Sequence, residues 1–147
     1  MKIIISSDHA GFELKNGIKN FLEEAGYEVR DMGPFEYRSD DDYPELILPV
    51  AIEIAKNPAL RGIVIGGSGQ GEAMSANRIK GVRATVFYGG NTDILKISRQ
   101  HNDANVLSLG ARFMNFDEAK EAVALWLGTP FSGEERHKRR IFELDNF

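Results

Sequence analysis

Short apolar runs alternate along the chain with stretches in which apolar residues recur every three or four positions. The runs at 2–7, 27–31, 62–66, 83–88 and 106–109 have the length of strands. Between the first two, Leu14, Ile18, Phe21, Leu22 and Ala25 fall on one helical face, and Gly26 is a natural stop. Ile47, Val50, Ala51, Ile54 and Ala55 repeat that spacing. Pro49 costs this helix an internal hydrogen bond unless it lies in the first turn, so the regular helix is expected from about Leu48. Further helices are expected over 71–78 and 92–101. Asn115 with Glu118 three residues on resembles a capping box, and Ala119, Val123, Trp126 and Leu127 give the helix behind it a core face. Gly128 and Pro130 close it, and 133–147 reads as a charged helix carrying apolar Ile141 and Leu144. Residues 33–42 are polar and irregular, the pattern of a loop.

Alternation of strand and helix argues for an α/β fold, with a parallel sheet and helices on both faces. In such sheets ligands bind beyond the carboxyl ends of the strands. Those ends carry Asp8 and His9, the segment GGSGQGE (66–72), Gly89-Gly90-Asn91, and Gly110-Ala111-Arg112. The length of 147 residues suits one domain, and no repeat or linker divides it.

Charge and composition narrow the chemistry. A net charge of −4 gives little support to a nucleic-acid partner. There is no cysteine, which removes disulfides, thiolate metal sites and a cysteine nucleophile. The apolar start MKIIISS reaches an aspartate too soon for a signal peptide or a membrane span, so a cytoplasmic protein is the expectation.

Three familiar glycine loops fail against GGSGQGE. A dinucleotide fingerprint would need a third glycine where Glu72 stands, and would follow the first strand. A phosphate-binding P-loop would end in lysine and a hydroxyl residue. A nucleophile elbow would put glycine two residues after Ser68, where Gln70 stands. What remains is either a tight strand-to-helix turn or a nest of backbone N–H groups for one negative oxygen. Asp8 suits a helix cap as well as a ligand, and His101 suits a helix C-terminus as well as a site. Arg136 and Arg140 share one helical face and flank His137, an arrangement that suits a phosphate. His9, His101 and His137 lack the spacing of metal ligands, so acid–base or binding roles fit them better.

The segments SSDHAG at the start, DYP at 42–44, GGSGQGEAMSANR at 66–78, SRQHNDANVL at 98–107, LGAR at 109–112 and ERHKRR at 135–140 together resemble the type B ribose-5-phosphate isomerases. The wider group includes galactose- and allose-phosphate isomerases. The resemblance implies an α/β/α sandwich with a Rossmann-like sheet. It also implies an aldose–ketose isomerase working through an enediolate without cofactor or metal, and a homodimer or dimer of dimers with its sites between subunits. Carried onto this chain, Asp8, His9 and Asn102 are implied to bind substrate. Gly67, Ser68, Gly69, Gln70 and Gly71 are implied to hold the enediolate. His101 is implied to help open the sugar ring, with His137 as its rival. Arg112, Arg136 and Arg140 are implied to bind phosphate, the last two reaching into the partner's site from the segment 133–147. Many members carry a cysteine base just before the glycine loop; Gly66 stands there, and Glu72 occupies the position of the base in a glutamate branch. A hexose-phosphate isomerase, with its difference in the loop from Phe35 to Tyr43, and a non-catalytic phosphosugar-binding protein are the competing readings.

Overall fold

The computed structural model describes residues 1–147. Five strands form one sheet: β1 (Lys2–Ser7), β2 (Glu28–Asp31), β3 (Arg61–Gly66), β4 (Ala84–Phe87) and β5 (Val106–Gly110). All pairings are parallel and the order is β2-β1-β3-β5-β4. Six α-helices cover it: α1 (Phe12–Glu24), α2 (Tyr43–Lys56), α3 (Gln70–Ala76), α4 (Asp93–Asn102), α5 (Phe116–Gly128) and α6 (Glu135–Asp145). The expected three-layer α/β/α sandwich is the fold.

The central strands are apolar without a break because both faces are covered. Alternate residues enter two separate cores. Ile3, Ile5, Ile63, Ile65, Leu107 and Leu109 pack with Ile18 and Leu22 of α1 and with Val123 and Trp126 of α5. Ile4, Val64 and Val106 pack on the other side with Ile47, Val50 and Ile54 of α2 and Ala76 of α3. The capping box forms as the spacing implies, Asn115 Oδ1 accepting from Glu118 N and Glu118 Oε2 from Asn115 N, both at 2.9 Å.

Helix α2 departs from the sequence expectation. It starts at Tyr43, five residues before Leu48, with Pro44 in its first turn and Pro49 in its interior. Pro44 takes the position that needs no N–H donor. Pro49 does remove an internal hydrogen bond, but the four buried residues Ile47, Val50, Ala51 and Ile54 hold the helix across that gap. Tertiary burial outweighs local propensity here. Helix α3 is shorter than expected, because Asn77 leaves the helix to bond the Ala84 backbone through both ends of its amide, at 2.7 and 3.0 Å.

The chain leaves β1 in one direction to make β2 and returns past β1 to make β3, so the sheet has a switch point between β1 and β3. The loop after β2 is fastened over that point. Lys15 Nζ donates to both oxygens of Asp31, at 2.8 and 2.7 Å, in a pair only 1% and 9% exposed. Asp31 also accepts from Gly33 N at 2.8 Å, and Ser6 Oγ donates to Gly33 O at 2.9 Å.

Candidate active site

A cleft of about 360 Å³ opens at the switch point. Asp8, His9, Tyr43, Gly67, Ser68, Gly71, Glu72, Arg112 and Phe113 line it. β1 delivers Asp8 and His9, β3 delivers the glycine loop, and β5 delivers Arg112.

Glu72 sits in the first turn of α3 and is 4% exposed. Its carboxyl folds back over Gly66, so that a Cβ added at 66 would overlap it. Gly66 is therefore glycine to make room for the glutamate. The position just before the loop and the carboxyl after it compete for one volume, and in this chain the carboxyl holds it. Burial pushes the Glu72 pKa upward, and the neighbouring Asp8 carboxyl pushes it further, through its charge and a shared hydrogen bond; only the residue's own N–H acts the other way. A raised carboxyl is a stronger base when ionised. Asp8 does cap the following 3-10 turn, accepting from Gly11 N at 3.2 Å, yet it also lines the cleft. The cap reading of Asp8 holds, and its place in the cleft leaves it available to a ligand.

The glycine loop presents free donors beside that carboxyl. The N–H groups of Gly67, Ser68, Gly69 and Gly71 donate to no backbone carbonyl. Gly69 caps α3 with φ at 77°, a left-handed conformation that favours glycine. Gln70 N turns to Ser68 Oγ at 3.3 Å. The loop is locked to β5 from below: Ser108 Oγ donates to Gly69 O at 2.7 Å, Ala111 N to Gly66 O at 2.8 Å, and Arg112 N to Gly67 O at 3.0 Å. Close packing continues above, where the Arg112 guanidinium lies over Gly67 and the Tyr43 ring over Gly71. Tyr43 and Phe113 were not singled out by the sequence; only the DYP segment marks the first, and nothing in the local pattern marks the second.

His9 is held from the loop after β2. Its Nδ1 lies 2.6 Å from Asp41 Oδ1, and its backbone N donates to the same oxygen at 3.2 Å. That hydrogen bond raises the His9 pKa, with the charges of Asp8 and Asp41 adding to it and burial and Arg112 opposing.

The remaining sequence candidates do not meet this cleft within the chain. His101 and Asn102 end α4, which runs back to the amino end of β5. The His101 ring stacks on His137 of α6, centroids 4.3 Å apart and planes 16° from parallel. His137 is 3% exposed and its Nε2 has no partner. Burial lowers the His137 pKa, and the charges of His101, Arg136 and Arg140 lower it further, against Glu134. Arg136 and Arg140 accompany it on α6, where Arg136 Nε donates to Glu134 at 2.9 Å. Arg83 Nη1 fastens the far end of that helix through Asp145 at 2.8 Å. No group of three or more His, Asp or Glu side chains is placed to hold a metal ion.

A doubly wound α/β domain with a buried carboxyl and open amides at its switch point is the class that fold and cleft define. The family model for Ribose/Galactose Isomerase matches residues 3–144, and this chain belongs to that family. Among its relatives is the ribose-5-phosphate isomerase B of Mycolicibacterium paratuberculosis, 40% identical over 96% of this chain and 87% of that one. The ribose-5-phosphate isomerase B of Mycoplasma genitalium, solved with bound ribulose-5-phosphate, superimposes with a TM-score of 0.93 at 38% identity, covering 99% of this chain and 94% of its own. The Clostridium thermocellum ribose-5-phosphate isomerase B superimposes with a TM-score of 0.91 at 43% identity, over 99% and 96%.

Proposed function

We propose that this chain interconverts ribose 5-phosphate and ribulose 5-phosphate by moving a proton between C2 and C1. The observation that carries the reading is the Glu72 carboxyl, buried and raised in pKa beside four open backbone N–H groups. A C–H next to a carbonyl is a weak acid, so its removal needs a base over the bond and donors on the oxygen that becomes negative. Glu72 is the base. The amides of the 67–71 loop hold the enediolate oxygen, and one turn of chain fixes donors and base relative to each other. When Glu72 takes the proton it becomes neutral as the oxyanion forms, so negative charge is not doubled in the cleft. Each such donor contributes roughly 2.7–4 kcal/mol to the transition state.

Arg112 supplies one phosphate contact from the same chain. His101, Asn102, Arg136, His137 and Arg140 lie at the amino end of the sheet, and we infer that a second copy of the chain brings its own set to the cleft. His101 then serves ring opening, and Arg136 and Arg140 bind the phosphate. The ribose-5-phosphate isomerase B relatives, one of them solved with bound ribulose-5-phosphate, support the reaction itself. The proposed compartment is the cytoplasm, where charged sugar phosphates are retained.

The test is turnover of ribose 5-phosphate, allose 6-phosphate and galactose 6-phosphate by the purified protein. Ribose 5-phosphate is the expected substrate. A strong preference for a six-carbon phosphate overturns the assignment, and binding of sugar phosphates without turnover of any overturns the enzyme.

A further inference from the structure

Asp41 has no part in the proton transfer, and its placement is unusual for a loop carboxylate. It stands 32 residues from His9 in sequence, yet one of its oxygens receives both the His9 backbone N–H and the ring Nδ1. Its other oxygen, Oδ2, is buried without any partner. A loop fastened only for stability has no use for a buried, half-satisfied charge, since an unpaired polar atom away from water is costly. The His9 ring is also fenced on another side by the edge of Tyr37, at 6.3 Å between centroids.

We propose, building on the isomerase reading above, that Asp41 is a positioning residue: its carboxylate accepts Nδ1–H from the protonated His9 ring and so fixes Nε2–H as a donor to an oxygen of the sugar phosphate. A histidine bonded to a carboxylate at one nitrogen has its ring orientation set, and the other nitrogen is the one left for a ligand. His9 lines the cleft, so that nitrogen is the group the substrate meets. The charged and titratable groups facing the ring are Asp8 from its own turn, Asp41 and Tyr37 from the loop, Arg112 from the turn after β5, and Glu72 across the cleft. Two of the carboxylates, Asp8 and Asp41, favour a protonated ring, and Arg112 with burial disfavours it. The arrangement also makes the 33–42 loop part of substrate recognition, because the carboxylate that orients His9 stands in it.

The experiment is a nitrogen-resolved NMR titration of the His9 ring, with kcat and KM for ribose 5-phosphate measured against pH, in wild type, Asp41→Asn and Asp41→Glu. Wild-type His9 is expected to titrate above its ordinary value. In D41N the His9 pKa falls, and kcat/KM above neutral pH drops about tenfold, the equivalent of one pKa unit at a group that must stay protonated. The drop is carried by KM, and D41E restores part of it by restoring the charge. Should the asparagine amide disturb folding, Asp41→Ser removes the charge with a smaller side chain and carries the same expectation. Identical His9 titration and identical pH profiles in wild type and a folded charge-removing variant overturn the proposal, as does a loss that D41E does not relieve. If wild type fails to turn over ribose 5-phosphate, the isomerase reading falls, while the His9 titration still decides whether Asp41 controls the ring.

Discussion

The two ends of the sheet carry the same kinds of residue and treat them differently. At the carboxyl end, Asp8, His9, Glu72 and Arg112 converge on one cleft with free backbone donors between them. At the amino end, His101, His137, Arg136 and Arg140 gather on α4 and α6, with two imidazoles stacked and no carboxyl buried among them. Burial acts in opposite directions on the two. It raises the Glu72 carboxyl and lowers the His137 imidazole, and in both cases it favours the neutral form. The first end has a buried carboxyl and a nest of free N–H groups but a single arginine. The second has cations and two imidazoles but no buried carboxyl. In the proposed reading each is half of a sugar-phosphate site, and the contrast teaches why that reading calls for a second copy of the chain.

The largest test strikes the proposed base. Glu72→Gln keeps the shape and removes proton abstraction, so turnover of ribose 5-phosphate should fall by about 10²–10⁴-fold with folding intact. Near-normal turnover would remove Glu72 from the role. The same variant has a stability signature. A carboxyl whose folded pKa is raised loses stability as pH climbs from its unfolded pKa through its folded one, because the native state then holds the extra proton. E72Q should therefore melt higher than wild type at neutral pH, by about 2–4 °C per kcal/mol released. The gap should close below the ordinary carboxyl value of 4.5, as followed by calorimetry across pH.

Gly66→Ala tests how the carboxyl is placed. The added methyl would overlap the Glu72 carboxyl and force it out of position. A displacement on the order of 1 Å costs a positioned group about 10²-fold in rate. Wild-type kcat in G66A would show that the carboxyl has slack.

The next test joins the two ends. Arg140→Ala alone should lower kcat/KM by about 10–100-fold, the range for a lost charge-assisted contact. Unfolding and refolding an equal mixture of R140A and E72Q should restore about a quarter of wild-type activity, the random-pairing share of sites with both groups intact. No recovery on mixing, with dimers formed, would place Arg140 and Glu72 in the same copy's site, and full activity of R140A alone would leave Arg140 without a role.

The smallest effect belongs to the stacked pair. With a folded pKa below the ordinary imidazole value of 6.5, His137 contributes stability that is present above that value and fades as pH falls through the lower folded one. His137→Phe keeps a stacking ring and cannot be protonated. Its melting temperature should decline less than that of wild type between about pH 6.5 and 5. Parallel declines would separate the stack from the acid sensitivity.

Local pattern determined a great deal. Strand length, helical spacing and the Asn115–Glu118 box are properties of neighbouring residues, and the sheet, the helices and the cap followed from them. The position of the cleft followed too, because strand–helix alternation puts ligands at carboxyl ends. Where two prolines offered themselves to one helix, local reasoning chose Pro49 for the first turn and missed Pro44, since the burial that tolerates an interior proline is not a local quantity.

Tertiary structure decided the rest, and each decision is a meeting of residues far apart in the chain or a folding back on itself. Gly66 reads as a turn glycine until the Glu72 carboxyl is seen lying over it. Asp8 reads as a cap until it is found raising the pKa of Glu72. Asp41 reads as loop charge until it is found holding His9. The sequence names the histidines and arginines of the last third but not that they face away from Glu72, because the direction of a helix relative to a distant loop is set by how the two cores close around the sheet.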